Sequence, residues 1–153
     1  MIVEGDSFPS FSLPDENGKI VSSDDLRGKS AVIYFYPKDD TTGCTAEACE
    51  FRDTLPGIDG VTILGVSPDN PRSHRKFVDK YSLNFTLLAD TEQALCKAAG
   101  VWAEKSMYGK KYMGVERSTF VLDGDGKVVK VFRKVKPQGH AAEVKAIVES
   151  LGR

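Results

Sequence analysis

Two cysteines that follow a buried hydrophobic segment are the residues in this sequence best suited to chemistry. Cys44 and Cys49 lie in the stretch 36–49, and the residues Thr-Thr-Gly directly precede Cys44. If Thr41 is the N-cap of a helix, Cys44 comes three residues later, where free backbone N–H groups and the positive end of the helix dipole face the sulfur. A thiolate is stabilised in that position, and the thiolate is the nucleophilic form of cysteine.

A structural role is the alternative for these cysteines, because an arbitrary cysteine in a helix is more often a small buried hydrophobe. Capping residues and glycine at 41–43 favour the reactive interpretation for Cys44, since they leave the helix end open to a reactant. Cys96 lies in a short helix candidate and is interpreted as a buried structural residue. Three cysteines are too few, and odd in number, for a disulfide framework.

A strand and a helix must position Cys44. Residues 30–36 form a continuous β-branched and aromatic run, which is typical of a strand buried on both faces, and Pro37 ends it. A helix over 42–54 is expected next. The cysteines therefore lie beyond the C-terminal end of a strand, where open α/β sheets bind ligands.

Other segments alternate between strand and helix signals. A hairpin is expected over 9–22 around the Asn-Gly pair, and a second around Asp-Gly-Asp-Gly at 123–126. The remaining predicted strands cover 61–66, 85–89, 118–122 and 127–132. Three further helices are predicted: one begins at residue 71 after an Asn N-cap, and the others cover 91–99 and 140–151.

Two expectations concern exposure and loops. On the helix that begins at residue 71, Phe77, Val78 and Tyr81 have the spacing of an inward stripe, whereas His74 is expected to face solvent. Residues 104–114 have a weak pattern and are expected to form a loop.

The order of elements predicts an α/β fold with a mixed central sheet, helices on both faces and an N-terminal β-hairpin. Strands separated by helices imply right-handed parallel crossovers, while the late hairpin must be antiparallel. With 153 residues, 41% of them hydrophobic, and no linker or repeat, residues 1–153 are expected to form a single domain.

Composition argues against several other functions. A net charge of -1 and a pI near 6.1 argue against binding to nucleic acid. The longest apolar run, 31–36, is far shorter than the roughly 20 residues of a membrane helix. No secretion signal is visible, so a reducing cytoplasm is expected. No metal site is expected, because the cysteine spacing is not that of zinc ligands and His74 and His140 have no ligand-like neighbours.

The segment Pro37-x-x-x-Thr41-x-x-Cys44 resembles the active-site pattern of the peroxiredoxins. Arg117 matches the arginine that this family has at the start of a late strand, and the resemblance covers essentially the whole chain. Cys49, five residues after Cys44, matches the resolving cysteine of the bacterioferritin-comigratory (Q-type) branch.

The resemblance implies a thioredoxin-like fold and a thiol-dependent peroxidase that reduces hydrogen peroxide and organic hydroperoxides. It implies that Cys44 becomes a sulfenic acid, that Cys49 resolves it as an intramolecular disulfide, and that thioredoxin or a similar dithiol recycles the enzyme. It implies no metal or organic cofactor, and a monomer with a weak dimer as the alternative. One departure is Thr42, where many relatives have proline, but this change removes no reacting group.

The resemblance also assigns supporting roles around the nucleophile. Arg117, the Thr41 hydroxyl and backbone N–H groups, including that of Gly43, are the expected donors to the leaving oxygen of a peroxide. Glu47 matches a glutamate that orients the arginine. Pro37 is expected to shield the pocket from water.

The spacing of the two cysteines adds a geometric constraint. In a regular helix, the Cα atoms of Cys44 and Cys49 are separated by roughly 8–9 Å, beyond the ~7 Å limit of an unstrained disulfide. The first turns of the helix must therefore unwind before the bond forms, and the weak helix formers at 42, 43 and 45 favour this opening.

Two other functions are alternatives to the peroxidase. A thiol-disulfide oxidoreductase is compatible with a thioredoxin-like fold, although that chemistry usually places its cysteines two residues apart. A peroxide-sensing redox module, whose disulfide state changes its partners, belongs to a different class. Turnover separates them, because only a peroxidase consumes many equivalents of peroxide.

Overall fold

A central sheet with hairpins and helices around it makes up the computed structural model, which describes residues 1–55 and 60–151. The elements in chain order are β1 (Ser12–Pro14), β2 (Ile20–Ser22), β3 (Ser30–Phe35), α1 (Thr42–Thr54), β4 (Val61–Ser67), α2 (Pro71–Tyr81), β5 (Thr86–Ala89), α3 (Ala94–Ala98), β6 (Trp102–Met107), β7 (Lys110–Val115), β8 (Ser118–Leu122), β9 (Val128–Phe132) and α4 (His140–Leu151). A short 3-10 helix follows β2.

The central sheet has five strands in the order β5-β4-β3-β8-β9. Strand β3 is parallel to β4, and β4 is parallel to β5, whereas β8 is antiparallel to both of its neighbours. This arrangement confirms the predicted mixed sheet. The pairing of Phe35 with Ser118 places the end of β3 beside the start of β8. Residue 117 therefore lies next to the loop that leads into α1.

Alternate residues of β3 face two separate hydrophobic cores, one on each side of the sheet. Tyr34 packs in the core with Phe51 of α1, and residues of α2 and α4 complete that side. Phe35 packs in the other core with Leu95 of α3. The predicted helices on both faces are confirmed, and the period of two along β3 explains why consecutive residues enter different cores.

The helices begin largely where their capping residues predict. Helix α1 starts at Thr42, as expected, and the Asn70 side chain accepts a hydrogen bond of 2.8 Å from the backbone N–H of Ser73 at the start of α2. Helix α1, with 13 residues, is the longest in the described parts of the chain, where no helix is long and apolar enough to cross a membrane.

Helix α3 is shorter than the predicted 91–99. Gln93 adopts a left-handed backbone with φ of 60°, so the helix begins at Ala94. The Asp90 carboxylate accepts hydrogen bonds from the backbone N–H groups of Leu95 and Cys96, at 3.1 and 2.8 Å. The side chain of Asp90 thus satisfies free donors at the start of this short helix.

The expected loop at 104–114 is wrong, because this segment belongs to a β-hairpin of β6 and β7. Tyr108 and Gly109 form its two-residue turn with φ values of 52° and 78°, and Met107 pairs with Lys110. Such a turn requires positive φ at both central residues, which a Tyr-Gly pair signals only weakly. The hairpin is largely exposed, so it lacks the alternation of buried and exposed residues that marks most strands. The hairpin expected over 9–22 is confirmed by the pairing of β1 with β2.

The expected exposure of His74 is also wrong. His74 is fully buried on α2 together with Phe77 and Val78, three and four residues further along the helix. Its spacing places it on the apolar face, although its neighbours in sequence are charged. Position on the helix, rather than local polarity, decides its burial.

We expect Gly65→Ala to destabilise the protein by about 1–3 kcal/mol because the sheet beneath α1 is already fully packed. A Cβ at Gly65 would lie 2.8 Å from Leu87 and 2.9 Å from Tyr34. Gly114→Ala is the control, since its Cβ would meet only flexible side chains at 3.4 Å and above. Urea unfolding measures both, and equal stability of the two variants would contradict the packing argument.

Candidate active site

Cys44 lies in the first turn of α1 with its side chain against the end of the sheet. The residue is only 1% exposed. Its Sγ accepts a hydrogen bond of 3.4 Å from Nη2 of Arg117, the residue directly before β8. The antiparallel pairing of β3 and β8 thus brings a guanidinium to a thiol 73 residues earlier in the chain.

Glu47 holds the other side of the same guanidinium. It is one helical turn after Cys44, so both side chains lie on the same face of α1. Its Oε1 accepts a hydrogen bond of 2.7 Å from Nη1 of Arg117, with the Glu47 side chain 1% and the Arg117 side chain 15% exposed. The guanidinium is therefore fixed between a carboxylate and a sulfur, in the planar geometry that arginine favours.

Gly43 makes room for this arrangement. A Cβ at this position would lie 3.2 Å from Nη2 of Arg117 and 3.5 Å from Cγ of Pro137. Only glycine lets the backbone of the first helical turn approach the guanidinium without a shift of a neighbour.

Thr41 occupies the N-cap position of α1 without capping it through its side chain. Its exposed hydroxyl instead donates a hydrogen bond of 2.9 Å to the backbone carbonyl of Lys38, in the loop between β3 and α1. Pro37 is half-buried at the start of this loop. The Thr41 side chain is therefore held against the backbone of the loop that precedes α1.

Burial and charge act in opposite directions on this site. Burial raises the pKa of Glu47 to about 7, although the charge of Arg117 and its hydrogen bond lower it. Burial lowers the pKa of Arg117, but Glu47 and Cys44 more than offset that effect and raise it overall. The raised pKa of Arg117 favours the charged guanidinium, whereas the raised pKa of Glu47 favours the neutral carboxyl. Arg117 therefore stays charged, and Glu47 keeps its proton to a higher pH than an ordinary glutamate, because burial dominates at Glu47.

The second oxygen of the Glu47 carboxyl explains why burial outweighs the effect of Arg117 on its pKa. Within residues 1–55 and 60–151, Glu47 Oε2 and the Tyr34 hydroxyl are buried without a hydrogen-bond partner. Burial, then the nearby Glu47 and Cys44, raise the pKa of Tyr34. One bonded oxygen compensates only part of the desolvation of a buried carboxylate.

The other two cysteines differ in their relation to this site. Cys49 is half-buried on the same helix, and all three thiols are free. Cys96 is buried in the core on the opposite side of the sheet from Cys44. Burial raises the pKa of the Cys96 thiol, and the neighbouring Asp90 raises it further. Cys49 therefore lies on the same helix as Cys44, whereas Cys96 lies on the other side of the sheet.

A buried polar network beneath the loop was missed by the sequence reasoning. Ligand atoms of Asp39, Asp69 and His74 lie within 4.8 Å of one another, which raises the question of a metal. However, Asp39 Oδ2 and His74 Nδ1 are 2.7 Å apart and bond to each other, closer than the roughly 3.3 Å between neighbouring ligands of a tetrahedral zinc ion. The helical spacing of His74 with Phe77 and Val78 was the signal that could have located it.

A cysteine at the N-terminus of a helix, beside an arginine and on an α/β sheet of this topology, is the arrangement expected of a thiol-dependent peroxidase of the thioredoxin fold. The AhpC/TSA family model matches residues 4–131. Peroxiredoxin Bcp of Bacillus subtilis (strain 168) is 48% identical over 142 residues, covering 91% of this chain and 90% of that protein. The chain belongs to the AhpC/TSA family, within the peroxiredoxins of the Bcp, or peroxiredoxin Q, branch.

Solved structures agree with this assignment. A crystal structure of a cysteine-to-serine mutant of Xylella fastidiosa PrxQ has a TM-score of 0.93 and 34% identity, covering 100% of this chain and 99% of that one. The bacterioferritin comigratory protein of Xanthomonas campestris, in a trapped intermediate/ligand complex, has a TM-score of 0.88 and 43% identity. The match covers 94% of this chain and 92% of that chain.

Glu47 is expected to make stability depend on pH. Its pKa is about 7 when folded, against an ordinary 4.5, so the folded protein holds this proton more tightly than the unfolded chain. The resulting stabilisation, ~3 kcal/mol, is full below pH 4.5 and is lost as the pH rises through about 7. Glu47→Gln does not titrate and should lack this loss.

Urea unfolding between pH 4 and 8 tests this expectation, as the difference in stability between the parent and Glu47→Gln. The exposed Glu92→Gln is the control, and it should follow the parent at every pH. A constant difference between the parent and Glu47→Gln across the range would contradict a raised pKa of Glu47.

Proposed function

We propose that this protein reduces hydrogen peroxide and organic hydroperoxides with Cys44 as the nucleophile and Cys49 as the resolving thiol. The observation that carries the proposal is the hydrogen bond of 3.4 Å between Arg117 and the Cys44 sulfur, with the guanidinium fixed on its other side by Glu47. The alkyl peroxide reduction activity named for the Xanthomonas campestris relative supports organic hydroperoxides as substrates.

The first step is attack of the Cys44 thiolate on one peroxide oxygen. The sulfur–oxygen bond forms as the O–O bond breaks, and sulfur is oxidised by two electrons to a sulfenic acid. The leaving oxygen takes both electrons of the broken bond and, once protonated, departs as water or an alcohol. Negative charge therefore moves from sulfur to the leaving oxygen during the step.

Most of the rate enhancement must come from stabilising that moving charge. A free cysteine with a pKa of about 8.5 is already a few per cent ionised at pH 7, so complete ionisation gains only about thirtyfold. A fixed donor aimed at developing charge contributes about a hundred- to a thousandfold. The two terminal nitrogens of Arg117 and the backbone N–H groups of Gly43 and Cys44, in the first turn of α1 where a helix supplies no carbonyl partner, are such donors.

Thr41 and Pro37 complete the pocket in this proposal. The Thr41 hydroxyl, which donates to Lys38 at rest, can rotate toward a peroxide oxygen because its side chain does not cap α1. Pro37, half-buried at the start of the loop, limits the access of water to Cys44. Both roles were assigned from the family resemblance, and their positions beside α1 support them.

The second step joins the two thiols. The Cys49 thiol attacks the Cys44 sulfenic acid, a disulfide forms, and the oxygen leaves as water. Because an intact α1 keeps the two Cα atoms roughly 8–9 Å apart, the first turns of the helix must open. The resulting disulfide is exposed, so thioredoxin or a similar dithiol is the proposed reductant, which regenerates both thiols by exchange.

The proposal also includes the compartment, the domain organisation and the oligomeric state of the enzyme. Three free thiols and the need for a dithiol reductant favour a reducing compartment such as the cytoplasm. The two cores, built on opposite faces of one sheet, favour a single domain. All groups proposed for the reaction come from one chain, which favours a monomer.

Cys44→Ser is expected to abolish peroxide consumption, because a serine hydroxyl at neutral pH supplies no thiolate. The assay follows hydrogen peroxide and an alkyl hydroperoxide over many turnovers in the presence of a dithiol reductant. Consumption at the parental rate would contradict the proposal. Parental protein that consumes only about one equivalent per chain would point instead to a redox sensor.

Cys49→Ser and Cys96→Ser form a matched pair that tests the resolving role. Cys49→Ser is expected to react once, accumulate sulfenic acid at Cys44 and overoxidise, whereas Cys96→Ser keeps full turnover because its thiol lies across the sheet. Mass spectrometry after one equivalent of peroxide locates the disulfide. Full turnover of Cys49→Ser with a dithiol would transfer the resolving role to another thiol.

A further inference from the structure

Asp39, in the loop between β3 and α1, is held by hydrogen bonds to Tyr36 of the same loop, to Asp69 after β4 and to α2. Its Oδ1 accepts a hydrogen bond of 2.5 Å from the Tyr36 hydroxyl, and its Oδ2 accepts one of 2.8 Å from the Ser73 hydroxyl of α2. Its backbone N–H donates to the Asp69 carboxylate at 2.8 Å. The residue is buried, so few waters can replace these partners.

His74 of α2 is the central partner of Asp39. Its Nδ1 lies 2.7 Å from Asp39 Oδ2, and its Nε2 lies 2.9 Å from the backbone carbonyl of Leu88 on β5. Both ring nitrogens therefore face oxygen atoms, and a hydrogen bond joins Nδ1 to the Asp39 carboxylate. A buried, charge-assisted hydrogen bond of this kind is among the strongest that a protein forms.

Asp40 makes a second attachment to the other end of α2. Its carboxylate accepts hydrogen bonds of 2.8 Å from Lys80 and 2.7 Å from the Tyr81 hydroxyl. The backbone of Asp40 is left-handed, with φ of 57°, a conformation that aspartate adopts more readily than most residues. Two consecutive residues thus attach the loop to the first and last turns of one helix.

We propose that Asp39 and Asp40 clamp this loop onto α2, and that His74 is a positioning residue for the peroxidase reaction. The clamp ends one residue before Thr41 and four residues before Cys44. It fixes the start of α1, and with it the donors around the sulfur, while the opening of α1 begins beyond residue 40. The expected effect of the clamp on the opening of α1 rests on the proposed Cys44–Cys49 disulfide.

The clamp has two opposite effects on the reaction. In the reduced protein it keeps the first turn of α1 folded, which holds Cys44 against Arg117 for attack on peroxide. After oxidation the same attachment resists opening of the helix, which slows disulfide formation. Loss of the clamp should therefore lower the rate of the first step without lowering the rate of the second.

Two isosteric substitutions of His74 separate its contacts. In His74→Asn, the side-chain amide nitrogen takes the place of Nδ1 and still donates to Asp39, but the contact with Leu88 is lost. In His74→Gln, the amide nitrogen takes the place of Nε2, so the contact with Leu88 remains and the Asp39 contact is lost. A merely structural role predicts similar effects of the two variants.

Hydrogen exchange of the reduced protein measures the clamp directly. His74→Gln is expected to raise amide exchange over residues 38–50 by about tenfold or more, the effect of losing one charge-assisted hydrogen bond. His74→Asn should stay within about threefold of the parent. Ser73→Ala removes a single donor from the surface side and should give a smaller increase, which keeps the test available if His74→Gln does not fold.

Rapid-quench kinetics test the effect on the reaction. His74→Gln is expected to lower the second-order rate constant for sulfenic acid formation about tenfold, with no decrease in the rate constant for disulfide formation. Arg75→Gln, which removes the surface pair with Asp79 on the same helix, is the control and should match the parent. Equal effects of His74→Asn and His74→Gln, or unchanged exchange in folded His74→Gln, would overturn the proposal.

The two proposals fail in different ways. Exchange of the reduced protein does not involve any disulfide, so its outcome stands even if Cys44 is found to pair with a thiol other than Cys49. In that case the assignment of the resolving thiol is wrong, and the clamp remains. If Cys49 resolves Cys44 but the two variants of His74 exchange alike, only the clamp is wrong.

Discussion

The interaction on which the site depends is the hydrogen bonding of one guanidinium to two groups of the same helix. Arg117 reaches Cys44 with one nitrogen and Glu47 with another, and neither acceptor has free access to water. In such an environment, electrostatic interactions are stronger than in water, and a misplaced charge is costly. The position of the arginine must therefore be fixed by the fold rather than found during the reaction.

The register of the central sheet provides that position. Because β8 runs antiparallel to β3, with Phe35 opposite Ser118, the residue before β8 meets the loop after β3. The same sheet separates the thiols, since its two faces carry different cores. Cys44 belongs to one core and Cys96 to the other, and a contact between them would require the sheet to open. One sheet thus determines both which cation meets Cys44 and which thiol is kept away from it.

Features encoded by neighbouring residues were predictable from the sequence, whereas features made by distant residues were not. The helix at 42–54 and the position of Cys44 follow from local capping and hydrophobic signals. The partnership with Arg117 came only from the resemblance to a family, because no local pattern relates residues 73 positions apart. His74 was misjudged since its sequence neighbours are charged, and its partner Asp39 lies on another element. The exposed hairpin at 104–114 was missed because its strands bury little surface.

In the proposed reaction, helix α1 has to be stable enough to hold the Cys44 thiol against Arg117 and weak enough to release it. Its two ends are restrained differently: Phe51 is buried in the core, and Asp39 is bonded to α2. The stretch between these points includes both cysteines and begins with poor helix formers, so it is where opening costs least. Once Cys44 and Cys49 are joined, the six residues 41–44 and 49–50 still span up to about 20 Å when extended, more than the roughly 15 Å that ten helical residues occupy. Both ends can therefore stay attached while the centre of this stretch rearranges.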